Sequence, residues 1–114
     1  MKSTLLTAAL ALGLLVASSA CEATTVAPKD AIKQAFPASQ YTKAVAVAKC
    51  ESGLNPKAVS PGGANWGLFQ INKVHEKTLN AMGYKWSQIT DPVVNSKIAR
   101  KIYDSSGWRA WSCA

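Results

Sequence analysis

Acidic side chains are scarce in this chain: 6 Asp and Glu stand against 13 Lys and Arg over 114 residues, a formal charge of +7. A site built from a cluster of carboxylates therefore has little material to draw on. Histidine occurs once and cysteine three times, at 21, 50 and 113. No set of them has the spacing of a tetrahedral metal centre, so neither a metal nor a cofactor is expected. A phosphate-cradling Gly-rich loop is missing, and so is a Gly-x-Ser-x-Gly elbow, which removes the common signatures of nucleotide binding and serine hydrolysis. Repeats, low-complexity tracts and a convincing alternating strand run are absent as well. The length admits one domain at most and excludes multidomain machines and nucleotide-binding α/β folds.

One long apolar run is present, and it reads as an address. Lys2 supplies a positive start, residues 5–17 an uncharged apolar stretch, and Ser18-Ser19-Ala20 a small-residue cleavage site. This is the pattern of a secretory signal peptide over residues 1–20, with cleavage near residues 20–23. The apolar stretch falls short of the ~20 residues that span a bilayer. Cys21, directly after Ala20, is similar to the lipidated cysteine of bacterial lipoproteins. Ser18 stands where that signal normally has Leu, so ordinary cleavage is favoured and a lipid anchor at Cys21 is the alternative. A secreted or extracytoplasmic location makes the remaining cysteines informative, because Cys50 and Cys113 are then expected to form a disulfide. The bridge would close a loop of about 63 residues, worth ~4 kcal/mol in the chain-entropy model, and would pin the C-terminus beside residue 50.

The rest of the chain reads as mainly α. A polar leader precedes a short helix over residues 30–36, stopped by Pro37. Ser39 is expected to cap a second helix over residues 40–52, ended by Gly53. Residues 54–66, with two Pro and two Gly, read as a loop or short hairpin, and residues 67–72 as a compact apolar turn. A third helix is expected over residues 74–82. Asp91-Pro92 opens a fourth, with Val94, Ile98 and Ile102 on one face and Gly107 past its end. The tail carries Trp108 and Trp111, expected to pack around Cys113, and His75 is expected to face solvent.

Glu51 stands out on physical grounds. At ~100° per residue it projects among Ala44, Val47 and Ala48, the apolar side of its own helix. It also occupies the last helical turn, where the macrodipole disfavours negative charge. Partial desolvation acts in the same direction, towards a neutral glutamic acid. A neutral carboxyl group is what general-acid cleavage of a glycosidic bond requires. Against this stands the plain alternative, a solvated residue near a helix end.

The run AKCESGLNPKAVSPGGANWGLFQIN, residues 48–72, resembles the active-site signature of lysozyme-like lytic transglycosylases. In that superfamily a helix ends in Glu-Ser, an Asn-Pro-x-Ala-Val-Ser-Pro-x-Gly-Ala loop follows, and then a Gly-Leu-Phe-Gln-Ile turn. Asn95, Ala99 and Tyr103, spaced along a helix before a Gly-Trp-x-x-Trp ending, extend the resemblance to about residues 40–113. It implies a single lysozyme-like domain over residues 39–114, preceded by a leader and first short helix over residues 21–38. It also implies peptidoglycan glycan strands as the substrate, a monomer, and Glu51 as the catalytic acid/base on the bond between N-acetylmuramic acid and N-acetylglucosamine. By the same match Gln70, Asn72 and Tyr103 would flank the substrate, and Ser52 would sit near an acetamido group. Trp66, beside the Gly turn, could stack on a sugar ring.

One departure bears on mechanism. Animal-type lysozymes carry a second carboxylate just before the Gly turn, where this chain has Asn65-Trp66. Asn65 can hydrogen-bond an acetamido group or water but cannot be a nucleophile, so the paired-carboxylate route lacks its second member. A lone acid/base suits attack by the muramic 6-hydroxyl to leave a 1,6-anhydro end, and it also permits inverting hydrolysis. Removing residues 1–20 takes away Lys2 and no acid, leaving +6, a charge that steers towards an anionic wall. No nucleic-acid motif accompanies it, so nucleic acid is not expected as a partner. A wall-binding protein without turnover and a small cationic membrane-active protein are the rival readings. A Cys50–His75 dyad is set aside because the disulfide accounts better for Cys50.

Overall fold

A computed structural model describes residues 25–114; the segment read as a signal peptide and Cys21 lie outside them. The element order is α1 (Pro28–Ala35), α2 (Ala38–Ser52), β1 (Asn65–Trp66), β2 (Ile71–Asn72), α3 (Glu76–Ala81) and α4 (Pro92–Ser106). Three 3-10 turns, Lys73–His75, Trp86–Gln88 and Gly107–Ala110, join and finish them. The mainly α single domain expected from the sequence is the one observed.

Most helix boundaries follow local chemistry. Pro28 opens α1, where a missing N–H costs nothing, two residues ahead of the expected start. Phe36 is extended, as a residue before proline tends to be, and ends it. Helix α2 then starts at Ala38 with Pro37 as its cap residue and no side-chain cap bond, so the expected Ser39 cap lies inside the helix. The fixed, extended backbone of Pro37 sets that start in place of a hydroxyl. Gly53 closes α2 in the left-handed region at φ 67°, and its N–H donates to Lys49 O at 2.8 Å. Asp91 caps α4, its Oδ1 accepting from Val93 N at 2.8 Å.

The expected helix over residues 74–82 divides into a 3-10 turn and a six-residue α3. Asn72 accounts for the tight start: its Oδ1 accepts from Val74 N at 2.9 Å and winds the chain into the 3-10 turn. The short turn at Trp86–Gln88 had no periodic signal to announce it. The loop-or-hairpin segment and the following turn form one antiparallel hairpin, with Asn65 opposite Asn72 and Trp66 opposite Ile71. Its strands are two residues long, too short for an alternating pattern.

The connecting turn is the centre of the core: Leu68 and Phe69 are both 0% exposed. Around them pack Val47 of α2, Leu79 of α3 and Ile98 of α4. Ile32 and Phe36 belong to the same core, so the first short helix packs against the rest of the described residues. Phe36 stacks on Trp108 with centroids 5.3 Å apart and meets Tyr103 edge-on at 5.8 Å. Cys50 and Cys113 are bridged, with Cα atoms 5.9 Å apart across a separation of 63 residues.

Candidate functional site

Glu51 sits on the penultimate residue of α2, half-buried, with the exposed Cys50 before it and Ser52 after it. Two restraints fix this helix end. The disulfide ties Cys50 to the C-terminal segment. Ser52 ties the helix to the core turn: its Oγ lies 2.7 Å from Leu68 O and 3.1 Å from Ala48 O, and it accepts from Asn55 N at 3.2 Å. Ser52 is therefore spent on holding the glutamate's helix to the hairpin. It does not line the cleft that opens beside Glu51.

That cleft has a volume of about 240 Å³. Glu51 forms one side and the hairpin residues Asn65, Gln70, Ile71 and Asn72 another. His75, Ile102 and the C-terminal segment at Ala110, Trp111 and Ser112 close the remainder. Of the residues singled out in the sequence, Glu51, Asn65, Gln70 and Asn72 are brought together, whereas Ser52, Trp66 and Tyr103 are not part of the lining. Trp66 donates its indole N–H to Gly63 O at 2.8 Å and packs edge-on against Trp86. Tyr103 lies against Phe36 and Trp108, on the aromatic cluster.

The polar lining is held in fixed orientations. Asn72 Nδ2 donates to Asn65 Oδ1 at 3.0 Å across the hairpin, while Asn72 Oδ1 accepts from Val74 N. Gln70 adopts φ 51°, a left-handed conformation that costs a non-glycine residue on the order of 1 kcal/mol. Its Nε2 donates to Ala58 O and Gly67 O, both at 3.1 Å, which anchors the side chain to the loop and turn. A polar side chain held at such backbone strain on a cleft wall is a common mark of a functional site.

Three residues gain roles that the sequence reading did not give them. Asn95 on α4 is 0% exposed, and its Oδ1 accepts from Phe69 N at 2.8 Å. Its Nδ2 donates to Ile89 O at 2.9 Å and Trp66 O at 3.0 Å. It thus holds both ends of the turn that carries Gln70. The signal for it was a polar residue directly beside Val94 on the apolar side of a helix. Trp111, expected around Cys113, is buried against Phe69 and donates Nε1 to Phe69 O at 3.0 Å, forming cleft wall. His75, expected to face solvent, is partly buried instead. It lines the cleft, and desolvation holds its pKa below 6.5, which favours the neutral imidazole. A lone histidine one turn beyond the hairpin carried no local sign of this.

The arrangement can deliver a proton from one carboxyl group to a ligand bound over the hairpin, with amide side chains and a neutral imidazole in reach of the same ligand. Comparison with known proteins identifies the family. A family profile described as a lysozyme-like domain matches residues 28–113. Lysozyme P of Drosophila melanogaster is 32% identical over 97 residues, covering 74% of this chain and 69% of that protein. Protein IpgF of Shigella flexneri is 35% identical over 75 residues, covering 57% of this chain and 49% of that protein. The chain therefore spans about half the length of this second relative. No solved structure matches the chain.

Proposed function

The chain belongs to the lysozyme-like domain family, and from that premise we propose that it cleaves the β-1,4 bond between N-acetylmuramic acid and N-acetylglucosamine in peptidoglycan, through Glu51. One observation carries the reading: Glu51 is the single carboxylate among the residues lining the cleft. It would protonate the glycosidic oxygen as the bond breaks, and as a carboxylate it would then take the proton of the attacking hydroxyl. With Asn65 where a second carboxylate would otherwise stand, the attacking group is the muramic 6-hydroxyl and the product a 1,6-anhydro end. Asn65, Gln70 and Asn72 would hold the sugar substituents. Ser52, Trp66 and Tyr103 would act from behind the lining, by fixing the helix end, the hairpin and the aromatic cluster. Export by the signal peptide, with a lipid at Cys21 as the alternative, would bring the enzyme to the wall as a monomer.

A second reading, hydrolysis by a bound water, is favoured by His75, whose neutral imidazole can accept a hydrogen bond from water in the same cleft. Replacing Glu51 by Gln tests the role of the acid. The variant should lose at least about 100-fold in release of soluble fragments from purified walls while still co-sedimenting with them. Undiminished digestion would overturn the assignment. Mass spectrometry of wild-type products separates the two chemistries, since anhydro ends support the first and reducing ends the second.

A further inference from the structure

Beside the cleft lies a second depression of about 270 Å³, lined by His75, Ile102, Thr78 of α3 and Lys101, Ser105 and Ser106 of α4. His75 and Ile102 line both, so the two depressions are neighbours. Their chemistry differs. The cleft presents a carboxyl group and amides, whereas the second depression presents three hydroxyls and an ammonium group, with no acid in its lining. Helix geometry accounts for the grouping: Lys101 and Ser105 are four apart on α4, as are Ile102 and Ser106, so each pair shares a face one turn apart.

Lys101 is exposed and, among the described residues, makes no ion pair. The acid three residues further on, Asp104, is bonded instead to Arg100 at 2.7 Å. An ammonium group with three donors, flanked by hydroxyls that can also donate, suits a carboxylate. A muramyl residue bound at Glu51 carries such groups further out, on the peptide attached through its lactyl group. We propose that the second depression is a subsite for this anionic peptide substituent, with Lys101 contacting its carboxylate and Thr78, Ser105 and Ser106 its amides. The inference rests on peptidoglycan being the substrate. It adds a preference that the glycan cleft alone would lack: strands bearing peptides are held better than bare strands.

The test compares intact walls with walls whose peptides have been removed by an amidase, which leaves only the lactyl carboxylate on each muramyl residue, using the full chain and the variants Lys101→Glu and Lys101→Arg. Lys101→Glu should raise KM on peptide-bearing strands by roughly three- to tenfold and leave kcat and the bare strands unchanged, with Lys101→Arg close to wild type. An equal effect on both substrates, or no effect on either, overturns the proposal. Co-sedimentation with the two wall preparations gives a second readout independent of turnover. If the wild-type chain releases nothing, the cleavage assignment fails, and a Lys101-dependent preference for peptide-bearing walls in sedimentation still supports the subsite. Equal sedimentation with both preparations refutes it.

Discussion

Asn95 shows how much one side chain can decide. It pairs with three backbone groups on the turn and on the segment before α4, two of them buried, and both of its side-chain polar atoms are used. Gly67 is tied to this arrangement, because it adopts φ 80° and an added Cβ would collide with the Asn95 amide. Replacing Asn95 by Leu leaves the buried Phe69 N–H and Ile89 carbonyl without this partner, each at about 1–3 kcal/mol. The expected loss is about 3 kcal/mol or more in urea denaturation, accompanied by loss of wall digestion, since the turn carries Gln70. His75 gives a dependence on pH. Its pKa is held below 6.5 by desolvation in the folded chain, so the unfolded chain binds the proton more readily. Stability should be constant in this respect above 6.5 and fall as the pH drops below it. His75→Gln should remove that part of the fall, as read from urea midpoints on either side of 6.5.

At the scale of elements, the site depends on two long-range attachments to the end of α2. Ser52 joins it to the core turn, and the disulfide joins it to the C-terminal segment. Residues 110–112 line the cleft directly before Cys113, so the bridge holds one wall at a set distance from Glu51. Trp111 adds a non-covalent attachment through Phe69 O. Replacing Cys50 and Cys113 by Ser should lower stability by up to about 4 kcal/mol in the chain-entropy account. Amide exchange should then rise first in residues 107–114, with slower wall digestion. A uniform loss of protection across the domain would instead mean that the C-terminal segment stays docked without the bridge.

At the scale of the whole molecule, smallness and charge act together. A domain of this size buries a modest core, and the bridge compensates by closing most of the chain into one loop. On the proposed reading, the excess of basic side chains would favour approach to an anionic wall. Much of this was legible without coordinates. Helix boundaries at Gly53 and Asp91 and the bridge between Cys50 and Cys113 depend on residues near one another in sequence or on cysteine counting, while the grouping of Glu51 with a Gly-Leu-Phe-Gln turn came from the resemblance to lysozyme-like lytic transglycosylases. The start of α2 and the division of the third helix were less legible, because backbone restraint at Pro37 and a side-chain bond from Asn72 set them.

The amino-acid sequence by itself determined a small, mainly α, disulfide-closed domain with one prominent glutamate, because helix signals, turn chemistry and thiol pairing are local or compositional. Which polar residues meet that glutamate was decided only by the tertiary structure. Asn65, Gln70 and Asn72 face it, while Ser52, Trp66 and Tyr103 turn to backbone carbonyls and aromatic rings. His75 and Trp111 enter from segments with no motif of their own. The reason is physical. In two-residue strands and tight turns side-chain direction follows from contacts made far along the chain, here Phe69 with Asn95 26 residues away and with Trp111 42 residues away.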